Sequence, residues 1–272
     1  MLLQVARVRV GTSGWRYPPW RTTFYPKGLP QRRELEHLSR QVTSIEINGS
    51  FYALQRPENY RAWAAETPDD FLFSVKAPRF ITHMKQLREV ETPLANFFAS
   101  GVLALGAKLG PVLWQLPPRM RLDPDRMATF LALLPRTSTA AAALAVRHDE
   151  RMEGRTLLEI DADRPLRHAV EVRNETFRDP AFRELLRAHD VALVVADSAG
   201  QWPRFDDVTA DFCYVRLHGE GELYVGGYTP DALDGWAATV RGWDRDTVVY
   251  FDNDAKVHAP YDAIALLDRL RA

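Results

Sequence analysis

Val42-Thr43-Ser44-Ile45-Glu46-Ile47-Asn48-Gly49-Ser50-Phe51-Tyr52 is the stretch on which the reading of this chain turns. Ile45 and Ile47 alternate with Ser44, Glu46 and Asn48, the period-two pattern of a strand with one apolar and one polar face. The polar face ends in a carboxylate and an amide. Gly49 breaks the strand, and Phe51 and Tyr52 follow in the loop. An acidic group on a rigid strand beside an aromatic loop is a common way to build an active site. A half-buried antiparallel strand with its polar side in water would read the same way, so the rest of the chain has to decide.

Strand-like segments recur outward from this one. They are Val5–Gly11, Thr43–Asn48, Phe71–Lys76, Val112–Leu116, His168–Arg173, Val191–Asp197, Phe212–His218 and Thr247–Asn253. Helical patterns lie between most of them, at Arg32–Arg40, Pro57–Ala65, Leu94–Leu105, Asp123–Leu134, Asp179–Ala188, Pro230–Arg241 and Tyr261–Leu270. Proline at a first helical position, as at Pro57, supports such starts. Strands that alternate with helices imply a parallel sheet, because each crossover needs a helix. Eight strands in about 250 residues is the size at which such a sheet closes. The expectation is an α/β fold, a TIM-like (βα)8 parallel barrel occupying residues 1–272 as one domain. A longer connection is expected at about 135–165, its alanine-rich part, 140–146, and its charged part, 147–155, forming a helical excursion outside the barrel wall. A doubly wound open sheet is the alternative, but it usually opens directly from a glycine-rich turn into a helix. Here Gly11-Thr12-Ser13-Gly14-Trp15 runs on into Arg16-Tyr17-Pro18-Pro19-Trp20, an irregular aromatic loop.

Composition narrows the functional classes. Among 272 residues, 46% are hydrophobic and 26% charged, which suits a packed globular protein rather than a disordered chain. A formal charge of −1 gives no global attraction to nucleic acid or to an anionic membrane surface. Nucleic acid is therefore an unfavoured partner, and no segment is long enough to span a bilayer. The single cysteine, Cys213, lies in an apolar strand and reads as a core residue of a reducing compartment. Arg7 and Arg9 interrupt the apolar run that a signal peptide would need, so a cytoplasmic location is expected.

Strand parity then places polar residues together. Leu72, Ser74 and Lys76 share one face of the third strand, Leu113 and Gln115 one face of the fourth, and Ala169, Glu171 and Arg173 one face of the fifth. The sixth offers Leu193, Val195 and Asp197, and the seventh Tyr214, Arg216 and His218. The eighth offers either Tyr250 with Asp252 or Phe251 with Asn253. The polar members cluster at the C-terminal strand ends, where barrel enzymes place their chemistry. Ion pairs closing the barrel mouth would explain some of them. So many ionisable groups in one ring exceed what closure needs, and apolar residues would fill it at lower desolvation cost. His83 after the third strand, the glycine-rich seventh loop from Gly219 to Tyr228, and Trp15, Tyr17 and Trp20 are further candidates. Each has an ordinary structural reading as well: surface loop, turn glycines and hydrophobic plug.

Several of these segments resemble one family. Gly11-Thr12-Ser13-Gly14-Trp15, Phe24-Tyr25-Pro26, Glu46-Ile47-Asn48 with Phe51-Tyr52, and Leu109-Gly110-Pro111 before Gln115-Leu116-Pro117-Pro118 are similar to the YecE-like family. So are Glu171-Val172-Arg173, Tyr214-Val215-Arg216-Leu217-His218-Gly219 and Tyr250-Phe251-Asp252-Asn253. This is the domain of unknown function numbered seventy-two, and the resemblance implies a TIM-barrel-like fold without an activity. Asn174 stands where the family pattern suggests histidine, Phe177 where it suggests tryptophan, and Asp252 where it suggests asparagine.

The expected function is that of a metal-independent enzyme acting by acid/base chemistry on a small anionic substrate, a phosphorylated sugar or nucleotide-like compound. Hydrolase or lyase chemistry is favoured, without a cofactor. Glu46 or Glu171 would be the base and Lys76 the acid or electrostatic stabiliser. Lys76 would instead form a Schiff base if desolvated, though nothing in the sequence selects that. Arg173, Arg216 and His218 would hold the anion, with Asn48, Tyr52, Gln115, Asp197 and Asn253 also lining the site, and Arg216 paired to Asp197. A metal-dependent phosphoester hydrolase built on Glu46, Glu171, Asp197 and His218 is the second reading, and a non-catalytic ligand- or nucleic-acid-binding barrel the third.

Overall fold

A computed structural model describes residues 6–272. Its sheet runs through β1 (Val8–Ser13), β2 (Ser44–Ile47), β3 (Leu72–Lys76), β4 (Leu109–Gln115), β5 (His168–Glu171), β6 (Ala192–Leu193), β7 (Val195–Asp197), β8 (Phe212–Leu217) and β9 (Asp246–Phe251). Every pairing is parallel, and the spatial order is β6-β5-β4-β3-β2-β1-β9-β8-β7. The two ends of that order are halves of a single strand. β6 pairs with β5 and β7 with β8, while the amide of Val194 between them donates to the Val170 carbonyl at 3.0 Å. The sheet thus comes round on itself as the TIM-like barrel expected of eight strand segments. Val5, where the first strand was expected to begin, lies outside the described residues.

The helices are α1 (Glu34–Ser39), α2 (Gly49–Tyr52), α3 (Pro57–Glu66), α4 (Glu91–Ala99), α5 (Pro124–Leu133), α6 (Ser138–Ala145), α7 (Pro180–Ala188), α8 (Pro230–Gly242) and α9 (His258–Arg271). Proline at the first turn starts α3, α5, α7 and α8. Asp123, Asp179 and Thr229 cap α5, α7 and α8 by accepting from an amide of the first turn. The helix expected over Leu94–Leu105 stops at Ala99. Gly101 adopts φ 100°, a left-handed geometry that ends α4, and a 3-10 segment follows at Val102–Lys108. The long connection holds α6 against α4, and a short antiparallel bridge from Thr137 to Pro165 closes its base.

Two separate apolar clusters follow from the alternation. Ile45, Ile47, Phe73, Val75, Trp114, Val170, Val215, Val249 and Phe251 point outward and pack under the helices. Leu113, Ala169, Ala192, Val194, Ala196, Tyr214 and Tyr250 fill the lumen. Fully burying one large outward side chain contributes roughly 1.5–3 kcal/mol, so this outer shell carries most of the driving force. Above Tyr214 and Tyr250, toward the C-terminal strand ends, the lumen turns polar.

Candidate functional site

The centre of the mouth is Arg216, on β8 and fully buried. Its Nε donates to Glu46 Oε2 at 3.1 Å and Nη2 to Glu46 Oε1 at 2.9 Å. Nη1 donates to Glu171 Oε2 at 2.8 Å, and Nη2 also reaches Asp252 Oδ2 at 2.9 Å and Ser13 Oγ at 3.2 Å. Every guanidinium nitrogen is thus engaged, and three carboxylates from different parts of the barrel share one cation. Burial pulls against the charged guanidinium, but Glu46, Asp252 and Glu171 outweigh it and keep its pKa well above the ordinary value.

The carboxylates are equally occupied. Glu46 also accepts from Ser13 Oγ at 2.8 Å and Tyr214 Oη at 2.7 Å. Glu171 accepts from Gln115 Nε2 at 3.1 and 3.0 Å and from Arg173 Nε at 2.7 Å. Burial alone would raise the Glu171 pKa, yet Arg173, Arg216, His218 and Lys76 hold it well below the usual carboxylate range. Asp252 is lowered in the same way, burial being overcome chiefly by Arg216 and the His218 contact. Held in this way Glu171 is a poor base, and Glu46 has both oxygens engaged by donors.

His218 lies with Nδ1 3.1 Å from Asp252 Oδ2 and Nε2 3.5 Å from Arg216 Nη1. A guanidinium can only donate and an ionised carboxylate only accept. Nε2, facing the guanidinium, is assigned as the acceptor, which leaves the proton on Nδ1 beside Asp252 though not in hydrogen-bonding geometry, and burial lowers the pKa toward the neutral ring. Trp202 and Tyr224 stack edge-on against it, with ring centroids 5.9 and 5.4 Å away. His218 is consequently a buried linker rather than a free anion ligand.

Two cations keep unclaimed nitrogens. Arg173 gives Nε to Glu171 and lies flat over Trp202, its guanidinium carbon 3.6 Å from the ring centroid. Its Nη atoms donate to no other described residue. Lys76, the last residue of β3, is 8% exposed and sits 4.4 Å over the Phe51 ring, without a hydrogen bond or ion pair to another described residue. Ser50 Oγ donates to the Lys76 carbonyl at 2.7 Å, which fixes α2 and with it the Phe51 platform. Burial, followed by the charge of Arg216, pulls the Lys76 pKa down to about 8, against the opposing pull of Glu46, Asp252 and Glu171. His83 leans on Phe51 with centroids 5.1 Å apart, its pKa pushed to about 4 by burial and then by Lys76 and Arg173.

Six of the seven charged ring residues expected from parity, Glu46, Lys76, Glu171, Arg173, Arg216 and His218, converge as expected, with Gln115 beside them. Asp197 does not. Ala192, Val194 and Ala196 are the inward residues of that strand, and Asp197 accepts from Tyr228 Oη at 3.0 Å on the outside. The expected Arg216–Asp197 pair is therefore absent, and Asp252 takes its place. Asn253 is also turned away, donating to the Gly226 carbonyl at 2.9 Å and Asp262 Oδ2 at 2.8 Å, so that it anchors the seventh loop. Tyr52 is 72% exposed, and its neighbour Phe51 faces the site instead. Asn48 stays at the rim with Oδ1 buried and unpartnered, close to the Tyr17 phenol. Trp20 is a core residue packed on Tyr17, Phe24 and Tyr25, and Trp15 packs on Trp63, which favours the plug reading of that loop. Asn174 caps a 3-10 turn through Thr176.

Asp254 was not singled out in the sequence. Burial and then the Asp252 charge raise its pKa to about 6. Its position two residues beyond Asp252 was the available signal. The ligand set of a metal hydrolase does not assemble, because Asp197 faces away and Arg216 fills the space between Glu46 and Glu171. Among the described residues, no three His, Cys, Asp or Glu side chains come together in a way that could hold a metal ion. No described helix is long and apolar enough to cross a membrane.

Comparison with known proteins agrees with the fold. Over 110 residues the chain is 31% identical to the UPF0759 protein YecE of Escherichia coli K12, covering 40% of this chain and 38% of that protein. Over 116 residues it is 30% identical to the UPF0759 protein YunF of Bacillus subtilis strain 168, covering 41% and 40% respectively. The matched part thus spans about two fifths of each relative. The crystal structure of a DUF72 family protein from Thermotoga maritima MSB8 superposes with a TM-score of 0.76 at 22% identity, over 97% of this chain and 99% of that one. One from Enterococcus faecalis V583 gives 0.73 at 15% identity, over 98% and 96%. Both likenesses concern the fold. The sequence itself matches the family described as "Protein of unknown function DUF72" over residues 9–272, and the chain belongs to that family.

Proposed function

We propose that the barrel mouth is an active site for a small anionic molecule, held by Arg173 and Lys76 and processed by proton transfer without a metal. The supporting observation is the contrast among the cations. Arg216 spends every nitrogen on protein oxygens, whereas Arg173 and Lys76 present terminal nitrogens that no described residue uses. A planar guanidinium fixed by Glu171 and Trp202 is pre-organised for a carboxylate or phosphate, since little side-chain freedom is lost on binding. Lys76, its pKa pulled down to about 8, suits proton exchange better than the saturated Glu46 and Glu171. The acid role expected of Lys76 is kept in this proposal.

Calorimetric titration of inorganic phosphate into wild type and Arg173→Gln tests the anion site. Wild type should bind with about millimolar affinity or better. The variant should lose roughly 1.5–3 kcal/mol, the range for a hydrogen bond to a charged group. Equal binding by both proteins, or binding by neither, would remove the anion site and leave an ion-pair network that closes the barrel.

A further inference from the structure

We propose that Lys76 is a covalent catalytic residue, forming a Schiff base with a small carbonyl compound whose carboxylate or phosphate rests on Arg173. The class of substrate rests on the anion reading above, whereas the nucleophilic role of Lys76 stands on its own geometry.

That geometry separates Lys76 from the structural lysines of the same molecule. Lys108 donates to the carbonyls of Ala64 at 2.6 Å and Thr67 at 2.8 Å, and to Thr67 Oγ1 at 3.3 Å. Lys85 pairs with Glu89 at 3.3 Å. Lys76 is more buried than either, yet its ammonium meets only an aromatic face. A buried ammonium normally takes hydrogen-bonded partners, because desolvation without them is costly. Carboxylates are present in the same ring, but Arg216 has taken them. The result is a buried amine at a strand's C-terminal end, set over the Phe51 ring, with Ser50 bonded to the carbonyl of the same residue.

The groups around it suit imine chemistry. The Nζ lone pair attacks the carbonyl carbon, the C–O π bond breaks toward oxygen, and a proton passes from nitrogen to that oxygen to give a carbinolamine. A second proton, delivered to the hydroxyl, lets the C–O bond break and water leave as the nitrogen lone pair forms C=N. In balance, the lysine ammonium and the carbonyl compound give an iminium and one water, with no oxidant or reductant. The free amine is available because Lys76 titrates near 8 rather than 10.5. Arg216, Glu46, Glu171, Asp252 and His83 are the other titratable groups facing the amine; Arg216 is held charged, Glu171 and Asp252 ionised and His83 neutral by their surroundings, and Glu46 is engaged on both oxygens by donors.

Two two-carbon aldehydes test the proposal, glyoxylate with a carboxylate and acetaldehyde without one. Each is incubated with the protein at pH 7 and cyanoborohydride, and modified lysines are located by peptide mass spectrometry in wild type, Lys76→Met and Arg173→Gln. Lys76 should be reduced to a stable adduct ahead of Lys27, Lys85, Lys108 and Lys256, with glyoxylate at least tenfold faster than acetaldehyde. Arg173→Gln should abolish that preference while leaving the adduct. Equal labelling of Lys76 by both aldehydes would keep the Schiff base and remove the anionic substrate. Phosphate binding together with no preferential labelling of Lys76 by either aldehyde would keep the anion site and overturn the Schiff base.

Discussion

Arg216 meets Glu46 side-on, Nε against one carboxylate oxygen at 3.1 Å and Nη2 against the other at 2.9 Å, with both side chains closed to solvent. This two-point pair joins β8 to β2 across the lumen, and the remaining nitrogen edge reaches Glu171 on β5. A single residue therefore ties three parts of the barrel wall together.

Replacing Arg216 by Met should destabilise the protein by at least about 3–5 kcal/mol, the cost of leaving a buried partner charge uncompensated. Three carboxylates lose their shared cation in this variant, so the upper end is expected. Urea unfolding at pH 7 measures it. The loss should shrink as pH falls, because protonated carboxyls no longer need the cation. A variant as stable as wild type at pH 7 would mean that the ring tolerates its negative charge without Arg216.

Gly11→Ala should be equally damaging for a different reason. Gly11 lies within β1, opposite Ser44 of β2 and Tyr250 of β9. A Cβ there would run into the backbone carbonyl of Ser44, which no rotamer change can relieve. Cost of about 3 kcal/mol or more, or failure to fold, is expected from a clash of this kind in the barrel wall. Thermal unfolding of the variant against wild type checks it.

Gly11 also shows where the sequence stopped being legible. The glycine pair at 11 and 14 reads as a turn that would end the first strand at Gly11, whereas the strand continues to Ser13. Ser13 Oγ consequently reaches Glu46, a contact that a turn would not have suggested. Parity succeeded where one face was clearly polar, as for Glu46, Lys76, Gln115, Glu171 and Arg216. It failed on Ala192–Asp197, which is apolar on both faces, so that alternation carries no direction. Alanines face inward there because Tyr214 and Tyr250 already occupy the lumen. The last strand offers aromatic and polar residues at both parities, and only its pairing of Tyr250 with Arg216 puts Asp252 inside. Which cation is saturated and which is free depends on contacts across the lumen, and no local pattern encodes those.

Lys76→Met should stabilise the fold while removing the proposed chemistry. The difference between an ordinary lysine at 10.5 and one at about 8 corresponds to about 3 kcal/mol of unfavourable charge burial. Below pH 8 both folded and unfolded chains carry the ammonium, and the full cost is present. Between pH 8 and 10.5 the unfolded chain binds the extra proton, so wild-type stability rises relative to the variant and the gap closes. Urea midpoints at pH 7 and pH 10 should therefore favour the variant at the lower pH and converge at the higher. A variant less stable at pH 7 would show that the ammonium is stabilising where it stands.

Asp252→Asn separates the two causes that raise Asp254. Burial is the larger and the Asp252 charge the second, so removing only that charge should bring the Asp254 titration down from about 6 part of the way toward ordinary aspartate. The same change takes a negative charge from beside Lys76, and its pKa should fall below about 8. Both values can be followed by carboxyl and ammonium NMR titration in the wild type and the variant. The stability effect has a definite sign as well. A carboxyl whose folded pKa lies above its unfolded value costs stability at pH above the folded pKa, and that cost is relieved as pH falls through about 6. Asp252→Asn should thus weaken this local gain on acidification. Asp252 itself has a lowered pKa and stabilises the fold above the unfolded value, losing that contribution as pH falls. The variant removes this loss, so below the pKa of an unfolded aspartate its stability should fall less steeply than that of wild type as the pH drops. An Asp254 midpoint unchanged by the substitution would show that burial alone sets it and that the two carboxyls do not act as a pair.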